Sequence, residues 1–165
     1  TDPRGRWMMN VTLDDNDIRQ VAHVAYDRGL PSIMSGAKNV NGGMTDPFLR
    51  HLIGAAGECA VAKHLDIYWD ASVGRFRGMG NDVGAFQVRA RREPLPLIIR
   101  PVDSKKDIFI LVYMTDKTFR NWKVAGWISG EEGMQIGKLT DMQGGQRYLV
   151  NENRLHSMED LKVTA

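Results

Sequence analysis

Asp82, Gln87, Arg89 and Arg91 stand within the stretch GNDVGAFQVRAR, residues 80–91. If residues 86–91 form a strand, its period of two places Gln87, Arg89 and Arg91 on one face and Phe86, Val88 and Ala90 on the other. Asp82 lies just ahead of that strand beside Gly84, whose freedom to bend or bulge the backbone lets the carboxylate turn toward the polar face. A carboxylate, an amide oxygen and a guanidinium then converge on one spot, a grouping suited to metal-dependent phosphodiester chemistry. An amphipathic surface strand with a solvated Gln and Arg face explains the same pattern without chemistry.

A second acid stands out for its surroundings. Residues 52–62 read LIGAAGECAVA, and Glu58 is the one charged residue among them. On a helix, Leu49, Ile53, Ala56, Ala60 and His64 form one stripe, and Glu58 shares the opposite side with Gly54, Ala55, Ala62 and Leu65. Both sides read as buried. An unpaired ionised carboxylate there would cost several kcal/mol, so Glu58 needs a partner, an arginine or a metal ion. An ion pair with Arg89 or Arg91, or a side facing solvent beside small residues, would satisfy it without a shared site.

The elements that must position these residues follow from pattern. A helix is expected over about residues 14–28, with Leu13, Ile18, Val21, Val24 and Ala25 as its apolar stripe, acids at its start, and Gly29 and Pro31 ending it. The stretch SGAKNVNGGMTD reads as a loop. A second helix starts at Asp46-Pro47, a capping residue followed by proline at the first helical position, and runs to about residue 65. Beyond it, strands are expected at 67–73, 83–91, 97–100, 108–115, 124–129 and 147–150. Residues 108–114, IFILVYM, are apolar on both faces, as in a central strand. A polar tail from 151 ends in a helical turn near 158–161.

Charge is uneven along this frame. The 165-residue chain carries a formal net charge of only +2. Between residues 75 and 100, however, Arg75, Arg77, Arg89, Arg91, Arg92 and Arg100 stand against Asp82 and Glu93, six against two, a local +4. Clustered arginines pair with phosphate oxygens and support sequence-independent binding to nucleic acid. A basic surface kept for solubility gives the same count.

A helix with G-E-x-x-x-A (Gly57, Glu58, Ala62) followed by D-V-G-x-x-Q-V-R (Asp82 to Arg89) resembles the PD-(D/E)XK nuclease superfamily, and more narrowly a set of its small phage-encoded members. The narrower likeness continues through LIIRP, IFILV, GWISG and the YLV…L tail, covering about residues 48–161. The resemblance implies an α/β (α+β) fold with a restriction-endonuclease-like core, a mixed central sheet flanked by helices. It also implies DNA cleavage with Mg²⁺ or Mn²⁺ held by Glu58, Asp82 and Gln87, with Arg89 beside them as the fourth catalytic residue. Arg75, Arg77, Arg91, Arg92 and Arg100 would then meet the DNA.

Two departures qualify this. Gln87 offers a neutral oxygen where a carboxylate is usual, weakening the hold on a hard cation. Arg89 replaces a lysine and stays protonated, so its part would be electrostatic. The same scaffold could therefore serve as an inactive nucleic-acid-binding accessory, or as a phage protein that binds a host protein. A homodimer also stays open. Topology departs too. Only about nine residues separate Thr115 from Val124, too few for a parallel crossover, so an antiparallel return is expected there.

Composition and motifs narrow the remaining classes. With 42% hydrophobic and 25% charged residues, the chain reads as one globular domain over 1–165: an N-terminal arm and helix to 45, a core over 46–150 and a tail. A single cysteine excludes a disulfide framework or an all-cysteine zinc site. The absence of a long apolar run or secretory signal favours the cytoplasm, the host's if phage-encoded, and no membrane partner. His23, His51, His64 and His156 lack metal-binding spacing, and Cys59 reads as a buried thiol. Trp69, Trp122 and Trp127 read most simply as core, and one of them could stack a base if exposed. Asp66 and Asp70 lie just after the second helix, where they could extend the acidic site, and turn and cap duties explain them equally well. GRFRGMGNDVG fits neither phosphate-loop pattern.

Overall fold

Two helices begin where side chains satisfy their first amides. The computed structural model describes residues 10–35, 46–71 and 81–163, so Trp7, the loop over 36–45, Arg75 and Arg77 lie outside the described residues. Helix α1 spans Asp15–Met34. Asp14 caps it reciprocally with Asp17, each side chain accepting the other's backbone N–H at 2.9 and 2.8 Å. It does not end at Gly29 but runs through Pro31 to Met34. Tertiary packing outweighs the local breakers: Tyr26 meets Phe48 edge-on at 5.9 Å, and a Cβ on Gly29 would lie 3.3 Å from the Phe48 ring.

Helix α2 spans Pro47–Leu65, as its sequence implies. Asp46 accepts from the amides of Phe48 and Leu49, and Asp66 ends the helix in the left-handed region at φ 52°. Residues 67–71 form no strand; they fold back so that Trp69 is buried against α2.

Among the described residues seven strands make two sheets. The first has the order β1 (Asn10–Thr12), β5 (Asn121–Ser129), β4 (Ile108–Met114), β2 (Phe86–Arg91), with β2 parallel to β4 and the other pairs antiparallel. The short 115–120 connection makes the antiparallel return that its length requires. The second sheet, antiparallel throughout, has the order β3 (Leu97–Ile99), β7 (Gly145–Val150), β6 (Lys138–Met142). Strand 83–91 is shorter than its pattern suggests: Val83 bridges Phe86 in a turn, and the ladder starts at Phe86.

Period two sorts the core. Ile110, Val112 and Met114 of β4 join Phe86 and Val88 of β2 beneath α1 and α2, with Ala90 packed beside them. Phe109, Leu111 and Tyr113 point the other way, into a second core with Leu97, Ile99, Val150 and Ile128. Helix α3 (Gly130–Ile136) and the second sheet cover that face. The result is an α+β chain with a mixed sheet between a helical layer and a β-rich layer. Strand β4 is central and buried on both faces, as IFILVYM implies.

Close approach of α2 to β2 depends on Gly57, where a Cβ would come within 2.4 Å of the Ala90 Cβ. No helix among the described residues is long and apolar enough to cross a membrane.

Candidate nucleic-acid interface

Glu58 has found an arginine, and it is Arg28 of α1. The two guanidinium nitrogens donate to the two carboxylate oxygens at 2.9 Å each, and Trp69 Nε1 donates to Oε2 at 3.1 Å. Glu58 is 8% exposed. Burial pushes its carboxyl above the ordinary range; Arg28 opposes that shift, and the nearby charge of Asp82 adds to it. Asp82 therefore lies near enough for its charge to act on Glu58 across the sequence gap.

Asp82 itself closes the turn leading into β2. Its Oδ2 accepts the Val88 N–H at 2.8 Å, while its own N–H donates to the Phe86 carbonyl at 3.0 Å. Gly84, at φ 54°, supplies the left-handed residue that lets this turn fold back. Gln87 donates its amide to Asn81 Oδ1 at 3.1 Å. Arg89 is fastened on the face of β2 away from the helices. Its Nε donates to the Ile98 carbonyl at 3.1 Å, one terminal nitrogen reaches Asp103 Oδ2 at 2.9 Å, and the guanidinium lies 4.7 Å over the Phe109 ring.

These placements bear on the divalent cation. Glu58 belongs to the helical layer over the Phe86, Val88 and Ala90 face, whereas Gln87 and Arg89 alternate onto the other face. A cation at Glu58 would stand beside the Arg28 guanidinium, a like charge already neutralising that carboxylate. As placed, Glu58 is engaged by Arg28 and Trp69, and Gln87 alternates onto the opposite face of β2. Among the described residues no group of three or more His, Cys, Asp or Glu side chains could hold a metal ion. Cys59 is buried, which pushes its thiol up to about 12 and leaves it inert.

The arginines converge where the carboxylates do not. Along the edge strand β2 runs a groove of about 680 Å³ with α2 on one side and the turn between β6 and β7 on the other. Arg89, Arg91, Arg92 and Arg100 line it, and so do Arg50 from α2 and Arg147 from β7. Among the described residues Glu93 is the one acid in the lining, six against one, a net +5. Arg50 and Arg147 carry no signal in sequence, since each is an isolated surface cation until the fold brings it here.

Two arginines are locked and one is poised. Asp103, only 6% exposed at its side chain, holds Arg89 through one oxygen and Arg100 through the other. Arg147 donates to the Gln146 and Gly144 carbonyls of its own hairpin, which fixes its direction. Among the described residues the buried Nε of Arg91 has no hydrogen-bond partner. Burial lowers the pKa of Arg91 and Glu93 pulls it back up, so an incoming anion would relieve a partly desolvated cation.

The Asp103 carboxyl makes a pH dependence. Burial would raise it, but hydrogen bonds from the Arg100 side chain and backbone and the charge of Arg89 outweigh burial and hold it below the ordinary carboxylate range. Its folded pKa is depressed, so its contribution to stability is full above the unfolded value and is lost as pH falls through the folded one. Urea midpoints measured from about pH 5 downward should drop steeply in the native protein and less steeply in Asp103→Asn.

No protein-family model, curated protein or solved structure matches this chain.

Proposed function

We propose that the protein binds nucleic acid through the arginine groove along β2, as a binding or accessory protein rather than a hydrolase. The observation that carries this reading is the lining itself: among the described residues six arginines from four segments of the chain converge on one groove, with Glu93 the one acid in the lining and Asp103 pairing with Arg89 and Arg100. Guanidinium groups pair bidentately with phosphate oxygens, and a run of phosphates offsets the mutual repulsion of such a cluster. DNA is the partner on which the test is set.

Hydrolysis with Mg²⁺ or Mn²⁺ is the second reading, and one observation favours it: the charge of Asp82 reaches Glu58. Against it stand the bidentate Arg28 contact on Glu58 and the Val88 amide on Asp82, which engage the acids in structural bonds. The experiment incubates the protein with supercoiled plasmid and labelled oligonucleotides, in EDTA and in Mn²⁺, beside Asp82→Asn. Salt-sensitive binding in EDTA with intact plasmid in Mn²⁺ is the expected result. Cutting in Mn²⁺ that Asp82→Asn abolishes would replace the binding reading with the hydrolytic one, and lack of binding to any DNA would end both.

A further inference from the structure

We infer that the groove receives an unpaired strand rather than a duplex, an inference that rests on the binding reading above. The groove is a slot with walls, not a convex cationic face. Arg50, Ile53 and Gly54 of α2 form one wall, and Met142, Gln143 and Arg147 at the β6–β7 hairpin form the other. It is a half-open cleft, and its volume of about 680 Å³ has room for a few nucleotides at most.

The lining also mixes two chemistries. Arginines suit phosphates, but the same lining includes Leu95 and Met142, 38% and 40% exposed, together with Ile53 and Ile98. A duplex keeps its base faces stacked inward and exposes its backbone and base edges only. An unpaired strand presents base faces as well, which pack on apolar side chains and on guanidinium planes. The unpaired strand satisfies both parts of the lining through its phosphates and its base faces.

The test titrates a short fluorescein-labelled DNA strand of mixed sequence, alone and annealed to its complement, by anisotropy in EDTA at fixed salt. The single strand should bind about tenfold more tightly, the scale of one packed base. Leu95→Ser with Met142→Ser, both at accessible positions, should remove most of that preference and leave the salt dependence unchanged. Equal or tighter binding of the duplex would overturn the strand preference while leaving the binding reading intact. A preference that survives the double substitution would overturn the apolar contact as its cause. Absence of binding to either form would overturn both inferences.

Discussion

Arg91→Gln combined with Arg92→Glu is expected to weaken oligonucleotide binding on the order of a hundredfold at moderate salt, since each hydrogen bond to a charged group is worth about 1.5–3 kcal/mol. The two changes take the groove lining from a net of +5 to +2. Arg92 is exposed, and its reversal leaves the core untouched. Arg91 is partly buried at the end of β2, so glutamine keeps much of its packing while removing the charge. The variant should therefore fold like the native protein, with an unchanged urea midpoint. Its slope of log affinity against log salt should fall by about 2, one for each phosphate no longer neutralised.

Glu58→Ala is expected to act on stability instead. Removing one partner of a buried ion pair leaves the other uncompensated, at a cost of about 3–5 kcal/mol. Here the carboxylate and guanidinium side chains are 10% and 18% exposed. The substitution strands the Arg28 guanidinium and leaves Trp69 Nε1 without its acceptor. Arg28→Ala should cost a comparable amount, and the double variant should cost clearly less than the two single costs together, the signature of a direct pair. Urea denaturation of the four proteins measures it. A Glu58→Ala protein as stable as the native chain would contradict the structural assignment and return Glu58 to the role of a ligand awaiting a cation.

Several parts of this architecture are legible in the sequence because a local rule decides them. Asp46-Pro47 starts α2, the apolar run over 108–114 makes the central strand, and the short 115–120 connection forces an antiparallel return. Period two correctly separates Phe86, Val88 and Ala90 from Gln87, Arg89 and Arg91. Other elements depend on partners remote in sequence. Helix α3 carries glycines at 130 and 133 because a Cβ would strike the Ser104 carbonyl at 2.3 Å or Ile99 Cδ1 at 2.2 Å, contacts no local pattern announces. Strand β6 is exposed at nearly every residue, so it shows no apolar alternation.

The candidate site divides in the same way. That Glu58 needs a partner is readable from its apolar neighbours, but neither Arg89 nor Arg91 supplies it. A signal for Arg28 is present: Val21, Ala25 and Arg28 follow helical spacing, so Arg28 continues the apolar stripe of α1 as a charge on a buried face. Two lone charges on two buried helix faces are a pairing rule that composition alone does not reveal. The groove, by contrast, is a product of the β2 edge and the β6–β7 hairpin meeting, which explains why Arg91, Arg92 and Arg100 are recognisable as a cluster and Arg50 and Arg147 are not.

The most direct measurement is the salt dependence of single-strand binding in EDTA, by anisotropy, for the native protein and for Arg91→Gln with Arg92→Glu. A steep native slope that flattens in the variant, with folding unchanged, is the predicted result. Identical slopes and affinities for the two proteins would contradict the assignment of the β2 groove as the surface that holds the phosphate backbone.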